Sequence, residues 1–119
     1  MARIYNWKDE LRVNQSSAFY NLNEDEQKQL LNWIRENLKK TKTFNTWDSS
    51  YGLKHLFEMS ANSFYVTNGA FKGGMLEAGF KVKDPYRVNW YFNISKNSVR
   101  ALYEHLNKKR LQKIEGPVG

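Results

Sequence analysis

Apolar residues recur at helical spacing in four stretches of this chain and alternate in one. The first firm helix follows Asn23, which is placed to cap it, and Glu24, Asp25 and Glu26 put negative charge at its dipole-positive end. Leu30, Ile34 and Leu38, with Leu31 beside them, form its apolar stripe, and Lys39 and Lys40 lie at its C-terminal end. A second helix is expected from Asp48 or Ser49 to about Met59, with Leu53, Leu56 and Phe57 inward. After a polar break at residues 60–63 and a short extended Phe64-Tyr65-Val66, Thr67 or Asn68 caps a third helix. It holds Ala70, Phe71, Met75, Leu76 and Ala78, and Gly79 is placed to end it.

Phe80-Lys81-Val82-Lys83 alternates as a half-buried strand does, Asp84-Pro85-Tyr86-Arg87 reads as a turn, and Val88–Ile94 is β-branched and aromatic. Together these predict a β-hairpin, with Trp90 and Phe92 on the core side and Tyr91 on the other. Ser95 then caps a last helix with Val99, Leu102, Tyr103 and Leu106 on one face and Lys96 and Arg100 on another. Its period breaks past Lys109, so residues 108–119 are expected to form a basic, mobile end. Residues 1–22 show no clear period and are expected to be irregular, with room for one short helix. The expected architecture is one α+β domain spanning 1–119: about four helices, two of them a helix-turn-helix-like pair, with a small β-hairpin before the last.

Three glycines in the third helix, Gly69, Gly73 and Gly74, run against helix propensity by about 1 kcal/mol each relative to alanine. A close approach of another backbone or of a ligand would offset that cost.

Composition supports a folded single domain. The 119 residues are 40% hydrophobic and 15% aromatic, and the four tryptophans are spread along the chain, so every segment carries core material. No cysteine is present, which removes disulfides, thiolate metal sites and cysteine nucleophiles together. Residues 1–10 lack the apolar core of a signal peptide, and no apolar run approaches the roughly 20 residues of a membrane span. The expected location is the cytoplasm of a bacterial host cell, with no membrane partner.

Charge changes the picture more. The net charge is +7, and it is unevenly placed. Residues 1–71 hold nine Lys or Arg against eight Asp or Glu, whereas residues 72–119 hold ten against four. Such asymmetry favours a polyanionic partner, because clustered positive potential attracts phosphates and binding releases counterions. Lys72, Lys81, Lys83, Arg87, Arg100, Lys108, Lys109 and Arg110 are the candidate contacts, with Tyr86, Trp90 and Tyr91 among them as possible stacking partners for unpaired bases.

The helix pair followed by a hairpin also invites comparison with a winged DNA-binding domain, in which the third helix would enter the major groove. That helix offers mainly Asn68 and Lys72 for base edges, and its other positions have core composition. Motifs for catalysis are sparse. His55 and His105 are the only histidines, no metal-ligand spacing or phosphate-binding glycine loop occurs, and no cofactor is expected. Lys54, His55 and Glu58 lie at one-face spacing and would be the group to consider for acid–base work.

The segments Ser50-Tyr51-Gly52-Leu53-Lys54-His55, Tyr65-Val66-Thr67-Asn68-Gly69-Ala70-Phe71, Ala78-Gly79-Phe80 and Asn89-Trp90-Tyr91-Phe92-Asn93-Ile94-Ser95 resemble the shared core of short proteins carried by phages and mobile elements. The resemblance spans residues 49–99. It implies a binding protein acting on a host machine, CRISPR nuclease inhibitors being a prominent class of that kind. Within it, Tyr51, Lys54, His55 and Asn68 are the polar residues that helix packing explains least. The expectation is therefore a non-enzymatic protein that engages a host nucleoprotein such as a Cas effector. A nucleic-acid-binding regulator is the alternative, and a small nucleic-acid-processing enzyme using His55 is a third.

Overall fold

A computed structural model describes residues 13–114, with side-chain environments for residues 13–108. A 3₁₀ helix, Ser16–Asn21, opens the described chain. Helix α1, Glu24–Asn37, starts in a full capping box: Glu26 N–H donates to Asn23 Oδ1 (2.8 Å) and Asn23 N–H to Glu26 Oε1 (3.1 Å). Leu30, Ile34 and Leu38 are buried as their spacing requires, but the helix ends at Asn37, and Lys40 already belongs to a strand.

That strand, β1 (Lys40–Ser49), pairs antiparallel with β2 (Tyr91–Ile94). Lys40 faces Ile94, Asn45 faces Phe92 and Ser49 faces Tyr91, so five steps along β1 match two on β2 and then four match one. β1 therefore bulges twice. On the other side of β2, Val82 forms a single bridge with Phe92, flanked by Lys83 N–H to Tyr91 O (2.9 Å) and Asn93 N–H to Lys81 O (3.3 Å). The expected 80–94 hairpin is reduced to that bridge, and the main pairing goes to residues 40–49, a segment without a clean alternation. Phe92 and Ile94 are buried with Trp90, and Tyr91 is half-buried, as the alternation of β2 demands.

Helices α2 (Ser50–Glu58) and α3 (Asn68–Glu77) form the expected consecutive pair. Thr67 caps α3, its Oγ1 accepting from Ala70 N–H (3.1 Å). Gly79, at φ 92°, turns the chain out of it. Every α3 residue from Asn68 to Met75 is buried, because three elements converge on this helix. α2 packs on it, α1 reaches it at Gly74, where Leu30 and Ile34 methyls would lie 3.0 and 3.2 Å from an added Cβ, and the 3₁₀ helix lies on Gly69 and Gly73. An added Cβ at Gly69 would collide with the Gln15 backbone, and one at Gly73 with the Ser16 carbonyl and Phe19 Cβ. The glycines are therefore explained by backbone approach, and α3 is the central core helix.

Helix α4, Lys96–Ile114, begins where Ser95 Oγ accepts from Ser98 N–H (3.3 Å). Val99 and Leu102 join the core cluster, and Leu106 packs against it. The helical backbone continues to Ile114, so the loss of apolar period near Lys109 does not end the helix. Residues 1–12 and 115–119, including much of the expected N-terminal segment and mobile end, lie outside the described residues.

Candidate partner-binding surface

The polar residues of the α2–α3 region separate into buried and exposed sets. Asn68 is buried; its Oδ1 accepts from Ser50 Oγ (2.8 Å), and its Nδ2 donates to Asn14 Oδ1, Val88 O and Asn89 Oδ1 at 2.9–3.0 Å. Ser50 Oγ also accepts from Trp90 N–H (3.0 Å). Lys72 is 3% exposed, and its Nζ donates to Asn14 O (2.7 Å) and Val88 O (2.9 Å) while lying 4.2 Å from the Trp90 ring centroid. Burial lowers its pKa from the ordinary 10.5. These two side chains tie residues 14 and 88–90 to α3. Both are largely withdrawn from solvent by these contacts, as is Trp90, although Lys72 and Trp90 still line a groove of about 370 Å³ with Tyr86 and Arg87.

Lys54 is a third correction. Its ammonium is buried against Glu58 (3.3 Å to both oxygens) and lies 5.6 and 5.0 Å from the Tyr51 and Tyr65 ring centroids. His55 is exposed; its Nδ1 is 3.3 Å from Glu58 Oε1, and its ring meets Tyr51 edge-on at 4.4 Å. Glu58 Oε2 also accepts from Val66 N–H (3.1 Å). The spacing thus brings Lys54, His55 and Glu58 together as expected, but Glu58 chiefly anchors the chain that follows α2. Tyr51 and Tyr65 remain on the surface, 51% and 76% exposed.

Lys81, Lys83, Arg87, Arg100 and Lys108 are exposed. Lys81, Lys83 and Arg87 lie on the segment beside β2, with Arg87 3.7 Å from Asp84 and Tyr86 almost wholly in solvent. Arg100 and Lys108 project from α4. Lys109 and Arg110 fall on its helical backbone, and their side chains lie outside the described set.

One surface feature has no counterpart in the sequence reading. The second bulge of β1 is stapled by Asn45, which is 1% exposed: its Oδ1 accepts from Trp47 N–H (2.8 Å) and its Nδ2 donates to Asp48 Oδ2 (3.0 Å). This Asx-type turn drives Trp47 outward to 79% exposure, beside α4. Lys96 Nζ lies 5.6 Å from its ring centroid. Trp47, Asp48, Lys96, Val99, Arg100, Tyr103, Glu104 and Asn107 line a groove of about 460 Å³, so two carboxylates stand there beside two cations. Tyr103, expected inward, is 43% exposed here, and burial, with a smaller contribution from Asp48, raises its phenol above the ordinary 10.0. An Asn two residues before an aromatic and three before an Asp was the available sign of this turn.

Among the described residues, no group of three His, Asp or Glu side chains is placed to hold a metal ion, and no helix is long and apolar enough to cross a membrane. No protein-family model, curated protein or solved structure matches the chain.

Proposed function

We propose that this chain is a non-enzymatic binding protein of a phage or mobile element that engages a host nucleoprotein, inhibition of a CRISPR–Cas effector being the sharpest form of the reading. The observation that carries it is the exposed basic and aromatic surface of the C-terminal half. Lys81, Lys83, Arg87, Lys96, Arg100 and Lys108 all keep their charges in solvent, with Tyr86, Trp47 and Tyr103 near them in the fold or chain. Mobile cations gain most from a polyanion, through counterion release.

The resembling core contributes scaffold more than contact. Ser50, Asn68, Gly69, Trp90 and Phe92, which lie in the resembling segments, are interior or polar-network residues. Recognition of a major groove by α3 has no support, since the faces that would read bases are packed.

The test is an affinity capture from bacterial host lysate with the tagged chain as bait, with and without nuclease treatment. Identification of a Cas effector or another defined nucleoprotein, followed by loss of its activity on addition of the chain, is the expected result. Recovery of nuclease-sensitive DNA alone would replace this reading with that of a regulator.

A further inference from the structure

We infer that the groove between the second β1 bulge and α4 is a binding site for unpaired RNA, stacking a base on Trp47 or Tyr103 and holding its phosphates with Lys96 and Arg100. The inference deepens the proposed function and rests on it, naming the part of the nucleoprotein that this surface would touch.

Four observations point to this occupant. Trp47 is not left exposed by a floppy loop: Asn45, buried and bonded at both ends of its amide, holds the turn that presents it. Lys96 lies on one face of the indole, and with 79% of the residue exposed the remaining face is open to a second flat group. Arg100 and Lys96 follow one another at one helical turn on α4, a spacing that meets successive backbone phosphates along one wall. Val99, 2% exposed, adds an apolar side chain to the lining against which an entering base loses water.

The carboxylates of Asp48 and Glu104 decide which polyanion fits. Two negative groups in the lining, matching its two cations in number, disfavour the dense phosphate rows of a duplex. They do accept hydrogen bonds from hydroxyl and amino donors, and the 2′-hydroxyl is the donor that RNA has and DNA lacks. Asn107 adds an amide to the same lining. An acidic peptide would meet the same cations, but its aliphatic carboxylates bring no base to stack on Trp47 or Tyr103.

The experiment is fluorescence anisotropy of a labelled, unstructured RNA octamer titrated with the intact chain, beside DNA of the same sequence, duplex RNA and an acidic octapeptide. The expected order places unpaired RNA first. Trp47→Leu and Tyr103→Leu should each weaken it by about five-fold or more, as loss of one stacking contact does. Both positions are exposed, and circular dichroism checks that the variants fold. Native affinity in the double variant would overturn the groove site while leaving the basic-surface reading standing. Equal binding of DNA, or tighter binding of the duplex or the peptide, would overturn the assignment to unpaired RNA. Failure of the native chain to bind any nucleic acid, together with an empty lysate capture, would overturn both proposals.

Discussion

A lysine that leaves water without a carboxylate partner loses hydration that carbonyl oxygens replace only in part. Lys72 is in that position, bonded to the Asn14 and Val88 carbonyls and facing the Trp90 ring. Its lowered pKa means that the unfolded chain binds more protons than the folded one between the folded value and 10.5. Lys72 therefore adds stability as pH rises through that window, and the contribution is lost as pH falls through the folded pKa. Compared with Lys72→Met, the native chain should gain in relative stability as pH rises toward 10.5, read from paired urea melts. Taking the difference cancels the opposing effect of Tyr20 and Tyr103, whose raised pKa values cost stability at the alkaline end in both proteins. A flat difference would mean that Lys72 is as well solvated folded as unfolded. Asn45 is the second polar residue with a defined task. Asn45→Ala should cost about 1–2 kcal/mol, because it leaves a buried turn without its bonds. It should also lower RNA affinity about as much as removing Trp47 itself, although Asn45 touches no ligand. Preserved affinity would show that Trp47 is presented without the staple.

At the scale of elements, α3 is where local preference and packing disagree, and packing wins. Gly69 and Gly73 lower its helix propensity, yet they admit the 3₁₀ helix to backbone contact, which no other residue allows. Gly73→Ala should destabilise the domain by about 1–3 kcal/mol in spite of alanine's better propensity. Gly52→Ala in α2, where an added Cβ meets nothing within 4 Å, should be neutral or stabilise by up to about 1 kcal/mol. The pair is checked by thermal or urea melts, and similar changes at both positions would contradict the close approach. The same competition explains what could be read from sequence. The capping residues Asn23, Thr67 and Ser95 and the apolar stripes of all four helices act locally, so the helices were legible, as were the unusual glycines and the inward Trp90 and Phe92. β1 was not, because its bulges break the alternation that marks a strand and only its long-range pairing with β2 holds it. The site divided the same way. Exposed Lys and Arg followed from charge, whereas Asn68 and Lys72 looked like surface groups until residues 14 and 88–90 closed over them. Trp47 was counted as core material, and only the Asn45 turn turns it to solvent.

At the scale of the whole molecule, the two halves of the chain divide the work that the charge asymmetry implied. Residues 24–80 supply most of the core and both ends of the Ser50–Asn68 bond, and this half is nearly neutral where it packs. The excess positive charge lies on the stretch beside β2 and on α4, whose Lys96, Arg100 and Lys108 are exposed while Val99, Leu102 and Leu106 pack in or against the core. Reversing Lys108, Lys109 and Arg110 to Glu should accordingly weaken RNA or nucleoprotein binding by about ten-fold or more at low salt while leaving the melting transition nearly unchanged. It should also flatten the salt dependence, since each lost phosphate contact removes about 0.7 from the slope of log affinity against log salt for a single strand. The groove variants at Trp47 and Tyr103 should do the reverse, lowering affinity with the slope preserved, because stacking releases few counterions. Parallel salt titrations of the two sets distinguish these effects. If both sets lowered affinity with the same unchanged slope, the C-terminal end of α4 would carry no phosphate contacts, and the polyanion would be held by the groove and the segment beside β2 alone.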